Sequence, residues 1–276
     1  MLRKEQLAEI LRNPLGSLKE SGRLARLLRR ELPVFVVNSG NWAKFPSLTL
    51  NAANEFPSQL SLLVGLPQAQ LIDFDLTFPQ TIESRELGAI FDHFGSDKSS
   101  HGYERIYVEF LNSHVESLKI ELLEIGIGTN SPGLVSSMGK NGKPGASLRA
   151  FANFDSRINV IGADIDRKIL FSDNRIHCFF VDQTDLQTYF EISEASGIKK
   201  FDLIIDDGLH STFANINSLI FAQTHLSPGG YLIIEDIPDR AMPVWNLVIG
   251  LMREMGHEII ATRATKCNVL IFKQKI

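Results

Sequence analysis

The sequence predicts an α/β fold with a doubly wound, seven-stranded sheet and an antiparallel last strand, on three observations. From about Glu83 onward, short apolar strands alternate with helical stretches, the order that builds a parallel sheet covered on both faces. Gly126 and Gly128 directly follow the first strand, at the edge where such sheets place their ligands. The last two strand candidates are separated only by Arg263 to Cys267. That is too short for a crossover helix, so they pair antiparallel.

Taken in order, the elements divide the 276 residues near position 82. Residues 1–31 carry eight Lys and Arg against four Asp and Glu. Leu7, Ile10 and Leu11, then Leu24, Leu27 and Leu28, recur at helical spacing around a break at Asn13-Pro14 and Gly16, which predicts two amphipathic helices. From Leu32 to Ile82 only Lys44, Glu55, Asp73 and Asp75 are charged. Phe35, Trp42, Phe45, Phe56, Phe74 and Phe78 need apolar surroundings, so 1–82 reads as a packed auxiliary module, lining an acceptor pocket or building an oligomer interface. Residues 83–276 form the second domain. Its strands are expected at Lys119–Ile125, Asn159–Asp164, Ile176–Val181, Phe201–Asp206, Tyr231–Glu235, Glu258–Thr262 and Asn268–Phe272. Helices are expected at Ser147–Phe154, Asp185–Ser193, Phe213–His225 and Val244–Met255.

Composition narrows the partners. With 44% hydrophobic residues the chain can bury a sizeable core. Its 28 Lys and Arg against 32 Asp and Glu give a net charge of −4, no field for a phosphate backbone, so nucleic acid is not expected. Cys178 and Cys267 lack metal-knuckle or redox spacing. No apolar run of roughly 18–20 residues, and a charged start in MLRKEQLAEI, lead to the expectation of a soluble, cytoplasmic protein with no membrane partner.

The glycine turn reads Leu123-Glu124-Ile125-Gly126-Ile127-Gly128-Thr129-Asn130-Ser131. A dinucleotide fingerprint would have Gly or Ala in place of Ser131, and an acid about 20 residues on. The next strand-end acid, Asp164, comes 36 residues after Gly128. Glu124 before the turn would repel a pyrophosphate and attract a sulfonium or ammonium, so the turn favours a cationic, non-phosphorylated cofactor. Asp164 can accept from the two hydroxyls of a ribose, and Asp182 with Gln183 can meet the amine of a purine. Each is equally a place for a helix cap.

The densest chemistry is Ile205-Asp206-Asp207-Gly208-Leu209-His210 with Ile234-Glu235-Asp236. Asp207 and the Glu235-Asp236 pair end adjacent strands, so three carboxylates share one sheet edge. Such a set repels itself unless protonated or bound to a cation, and all-oxygen donors suit magnesium. His210 is then placed as a general base. Asp206 is assigned to structure, and His93, His114, His177, His225 and His257 to structural or exposed positions.

At these residues the sequence resembles class I S-adenosylmethionine-dependent methyltransferases. More narrowly, it resembles the magnesium-dependent sugar O-methyltransferases of macrolide biosynthesis, of mycinamicin and macrocin type, over roughly residues 84–276. The marks are Phe94-Gly95-Ser96-Asp97-Lys98-Ser99-Ser100-His101-Gly102-Tyr103, the glycine turn, Gly145–Phe151, Ile205–His210 and Gly229–Asp236. The resemblance implies metal binding by Asp207, Glu235 and Asp236, with His210 as base. It implies cofactor binding by Glu124, Gly126, Gly128, Asp164, Asp182 and Gln183, with Tyr103 and Arg149 closing over the cofactor. The implied reaction moves a methyl from S-adenosylmethionine, with Mg2+ or another hard divalent cation, to a sugar hydroxyl of a glycosylated natural product or saccharide, in a homo-oligomer. Residues 1–82 hold no motif of that family's auxiliary domain. The alternatives are methylation of a catechol or phenol, or an NAD-dependent sugar oxidoreductase or epimerase. Glu124 and Ser131 disfavour the latter, and the complete acid-histidine set disfavours a noncatalytic module.

Overall fold

The computed structural model describes residues 56–66 and 69–275. The amphipathic helices expected in 1–31 and the aromatic residues Phe35, Trp42 and Phe45 lie outside them. A compact unit runs from Pro57 to Ile276. Among the described residues no helix is long and apolar enough to cross a membrane.

After a helical stretch at 56–63 come α1 (Phe74–Thr77), α2 (Ile82–Phe94), α3 (Lys98–His101) and α4 (Glu104–Ser113). The sheet domain continues as β1 (Ile120–Ile125), α5 (Ala146–Phe154), β2 (Ile158–Asp164), β3 (Ser172–Asp173), β4 (Ile176–Phe180), α6 (Leu186–Ser196) and β5 (Phe201–Asp206). It ends with α7 (Thr212–His225), β6 (Leu226–Ile237), α8 (Met242–Glu254), β7 (Glu258–Arg263) and β8 (Asn268–Lys273). Sheet order is β3-β4-β2-β1-β5-β6-β8-β7. Strands β4, β2, β1, β5 and β6 are parallel, while β8 enters antiparallel between β6 and β7.

The doubly wound sheet and the closing hairpin are as the spacing predicts, with one correction. Eight strands form where seven are expected, because Ser172–Asp173 pairs antiparallel with β4 at the sheet edge. The hairpin turns through Asn174, whose φ of 43° is left-handed. Two residues are too few to show strand alternation.

Strand neighbours point to opposite faces, and the core follows that alternation. Leu122, Val160, Leu203, Ile205 and Ile233 face a layer containing Phe91, Tyr107, Phe110 and Phe151. Leu123, Ile161, Ile204, Leu232 and Ile234 face a layer containing Tyr189, Phe221 and Trp245. Each fully buried side chain of this size contributes roughly 1.5–3 kcal/mol. Helix starts are capped: Thr81 and Ser84 form a reciprocal capping box on α2, and Ser211 accepts from the Ala214 amide on α7.

Part of the stretch preceding residue 83 joins this core. Ile72 bridges Thr262 on β7: its amide donates to the Ala261 carbonyl at 2.8 Å, and its own carbonyl accepts from the Thr262 hydroxyl at 2.9 Å. Phe74 and Phe78 are buried in the first layer, and the Arg105 guanidinium lies 4.5 Å from the Phe74 ring.

Candidate active site

Parallel register brings the strand ends together. Ile125 of β1 pairs with Asp206 of β5, which pairs with Ile234 of β6, so Gly126, Asp207 and Glu235 emerge side by side. Gly126 is left-handed at φ 86°, and a Cβ there would fall 2.2 Å from the Asp207 carbonyl oxygen. Only glycine lets β1 leave the sheet this close to β5.

A hollow of about 470 Å3 opens over these ends, lined among others by Lys98, His101, Tyr103, Gly128, Asp164 and His210. A second, of about 250 Å3, is lined by Ile165, Val181, Asp182, Gln183 and Leu209. Gly126, Asp164 and Gly208 line both. Their combined extent suits a nucleoside-sized ligand, with Asp164 midway along it. The Asp164 carboxylate accepts from the Ile127 amide at 3.0 Å and the Asp166 amide at 2.9 Å, so it also fixes the glycine turn. Its second lone pairs remain for ligand hydroxyls. Asp166, which the sequence reading left without a role, holds the next loop by accepting from Thr129 at 2.6 Å and Ser131 at 2.5 Å.

At the floor of the larger hollow, ligand atoms of Asp207, His210 and Asp236 lie within 4.8 Å of one another. His210 Nε2 is 3.9 Å from Asp207 Oδ1 and 4.0 Å from Asp236 Oδ2. His210 (φ 50°) and Asp236 (φ 53°) both take left-handed backbone. For a non-glycine residue that costs on the order of 1–3 kcal/mol and clusters at functional positions. Tyr103 donates to Asp236 Oδ1, and His101 Nδ1 sits 3.4 Å from the same oxygen.

Lys98 stands behind this floor. Its ammonium, 2% exposed, lies 2.7 Å from Glu235, 2.8 Å from Asp207 and 3.2 Å from Glu124. Tyr107 donates to the other Glu235 oxygen. Burial opposes the charge on Lys98, but Asp207, Glu235 and Glu124 outweigh it and hold the ammonium well above its ordinary range. Burial pushes Glu235 up to about 7 against the pull of Lys98, and raises Asp207 and Glu124 similarly. For Asp236 burial is overcome, chiefly by the Tyr103 hydrogen bond and the nearby imidazoles, and its carboxyl lies below the usual range.

The residues therefore group differently from their order in the chain. Asp207, Asp236, His210, Tyr103, Gly126, Gly128 and Asp164 share the larger hollow, and Glu235 joins its lining while both its oxygens are engaged by Lys98 and Tyr107. Glu124 is fully buried beneath the turn beside Lys98. Asp182 and Gln183 line the smaller hollow, but the Gln183 amide donates to Asp206 at 2.7 Å and accepts from the Leu209 amide at 2.5 Å. Those bonds lock the β5 exit. Asp206 also accepts from Asn215 at 3.0 Å, the structural part expected of it. Arg149 turns away from both hollows, with its guanidinium 4.3 Å from the Phe171 ring and bonded to the Pro144 and Gly145 carbonyls. Lys98 was visible in the sequence as the lone cation of a motif bracketed by Gly95 and Gly102, yet two of its three carboxylate partners lie 109 and 137 residues away.

The donor set fits a hard divalent cation. Asp207 and Asp236 offer carboxylate oxygens to an open hollow. Glu124, Asp207, Glu235 and Asp236 together outnumber Lys98 and Lys143, leaving negative charge for cationic ligands when all four are ionised.

No family model matches the chain. Among curated proteins it is 27% identical over 152 residues to 8-demethyl-8-alpha-L-rhamnosyl tetracenomycin-C 2'-O-methyltransferase of Streptomyces olivaceus, covering 55% of this chain and 37% of that one. It is 33% identical over 135 residues to demethylmacrocin O-methyltransferase of Streptomyces fradiae, covering 49% and 30%. The chain thus spans about a third of the length of these relatives. Among solved structures, the MycE methyltransferase of the mycinamycin biosynthetic pathway, in complex with Mg and SAH, superposes with a TM-score of 0.53 at 23% identity, covering 68% of this chain and 55% of that one. The fold is that of the class I methyltransferases, and the chain resembles macrolide sugar O-methyltransferases.

Proposed function

We propose that the protein is a metal-dependent O-methyltransferase that moves a methyl from S-adenosylmethionine to a sugar hydroxyl of a glycosylated natural product. The observation that carries this is the Asp207–His210–Asp236 cluster opening onto the hollow beside the Gly126 turn. Relatives named as a rhamnosyl tetracenomycin-C 2'-O-methyltransferase and a demethylmacrocin O-methyltransferase, and a like-folded methyltransferase bound to Mg and SAH, support it.

In this reading Gly126 and Gly128 allow close backbone approach of the cofactor, Asp164 receives its ribose and the apolar walls at Val181 and Leu209 receive its purine. S-adenosylmethionine supplies an electrophilic methyl beside the acid cluster. A divalent cation, held by Asp207 and Asp236 with Glu235 beside them, supplies Lewis acidity toward neighbouring hydroxyls. His210 would take the proton of the acceptor hydroxyl as its oxygen bonds to the methyl and the methyl–sulfur bond breaks, the electron pair staying on sulfur in the departing thioether. The carboxylates fix the acceptor so that oxygen and methyl meet in line.

His210→Ala is expected to lower kcat on the order of 10^2–10^4-fold while calorimetry still finds S-adenosylmethionine binding, and EDTA is expected to abolish turnover. Activity indifferent to both sinks the mechanism. A panel of glycosides and catechols separates the sugar acceptor from an aromatic one, and turnover confined to catechols overturns the substrate class.

A further inference from the structure

Lys98 takes no part in the proposed reaction, yet its side chain is buried at the site. It sits on α3, bracketed by left-handed Gly95 and Gly102, and its ammonium meets carboxylates at the ends of three neighbouring strands: Glu124 of β1, Asp207 after β5 and Glu235 of β6. An ammonium has three donors, so the cage matches it in number.

Asp207 is the shared member. Its Oδ2 lies 2.8 Å from the lysine, while its Oδ1 faces His210 on the side of Asp236. A carboxylate bridging two cation positions, each with further carboxylates of its own, is how sites for paired metals are built. Here one of the two positions holds a covalently tethered monovalent cation.

We propose that Lys98 is a resident cation occupying what would otherwise be a second metal position. It thereby limits the site to one divalent ion per chain and aims Asp207 at that ion before it arrives. This rests on the metal reading of Asp207 and Asp236. Lys98 is a positioning residue that acts through the carboxylates it holds.

The test is a Mn2+ titration of the full chain without S-adenosylmethionine, by calorimetry and electron paramagnetic resonance, on the wild type and Lys98→Ala. The wild type is expected to bind one Mn2+. Lys98→Ala is expected to bind two, with the broadened spectrum of spin-coupled ions, and its melting temperature in EDTA is expected to fall below wild type and recover in millimolar Mg2+. One Mn2+ in both proteins overturns the proposal and leaves the metal reading intact. No Mn2+ in the wild type overturns the metal reading; one captured only by the variant still supports Lys98 as a cation surrogate, and none in either overturns both. Should Lys98→Ala not fold in EDTA, refolding is compared in Mn2+ and in K+. Recovery with Mn2+ alone supports the proposal, and recovery with neither or equally with both overturns it.

Discussion

His210 and Asp236 hold left-handed backbone at the ends of adjacent strands. Asp236 is anchored by Tyr103, and its carboxyl stays ionised because that hydrogen bond and the neighbouring imidazoles outweigh burial. Asp236→Asn keeps the shape and removes the charge. It is expected to weaken Mn2+ binding by on the order of 100-fold, the upper end of what outer-shell changes alone produce; calorimetry with unchanged affinity would exclude Asp236 as a ligand. At this scale the acids and the histidine were readable in the sequence because each lies next to a strand end, where local pattern fixes position. The role of Lys98 was not, because it depends on partners on three separate strands, two of them over a hundred positions away. Gln183 and Arg149 show the same limit: a side chain's location follows from its strand or helix, but its partner does not. Gln183 is engaged by Asp206 and the Leu209 amide, and Arg149 by Phe171 and two carbonyls.

Elements transmit order to the site in two places. On one face of the sheet, Phe151 of α5 meets Phe91 of α2 edge-on at 5.2 Å and Tyr107 of α4 at 5.1 Å, and Tyr107 in turn donates to Glu235. Phe151→Ala removes the ring that packs α2, α4 and α5 together. A loss of about 3–5 kcal/mol in urea unfolding is expected, and a loss below 1 kcal/mol would mean that the layer repacks. On the other face, Asn215 of α7 satisfies the fully buried Asp206. Asn215→Ala strips a partner from a buried carboxylate and is expected to cost about 1–3 kcal/mol, read in the same assay. The sequence pattern predicts the helices α5 to α8 and every strand but β3; it does not predict α2 or α4, and the two-residue β3 and the four-residue α3 are set by tertiary contact. That is why the strand count was one short.

Across the whole molecule the net charge of −4 is modest, while Glu124, Asp207, Glu235 and Asp236 gather at the carboxyl ends of β1, β5 and β6. Without a divalent ion, Glu235 has its pKa pushed from 4.5 up to about 7 by burial. A carboxyl raised on folding favours the folded state fully below the unfolded value, and that contribution is lost as pH climbs through about 7. In EDTA the melting temperature is therefore expected to fall between pH 5 and pH 8, and saturating Mg2+ to offset the fall by mass action, about 2.7 kcal/mol at 100 times Kd. A flat profile in EDTA contradicts the charge distribution. The order of the sheet carries one more consequence. Because β8 lies between β6 and β7, the strand bearing Glu235 and Asp236 gains its second neighbour only from residues 268–273. On a ribosome, everything through Asp236 is made while one side of β6 stands unpaired, open to association with other chains. Productive synthesis of this protein thus depends on how long that edge waits, and slowing elongation between residues 237 and 268 should raise aggregation of nascent chains even though no residue of the site has changed.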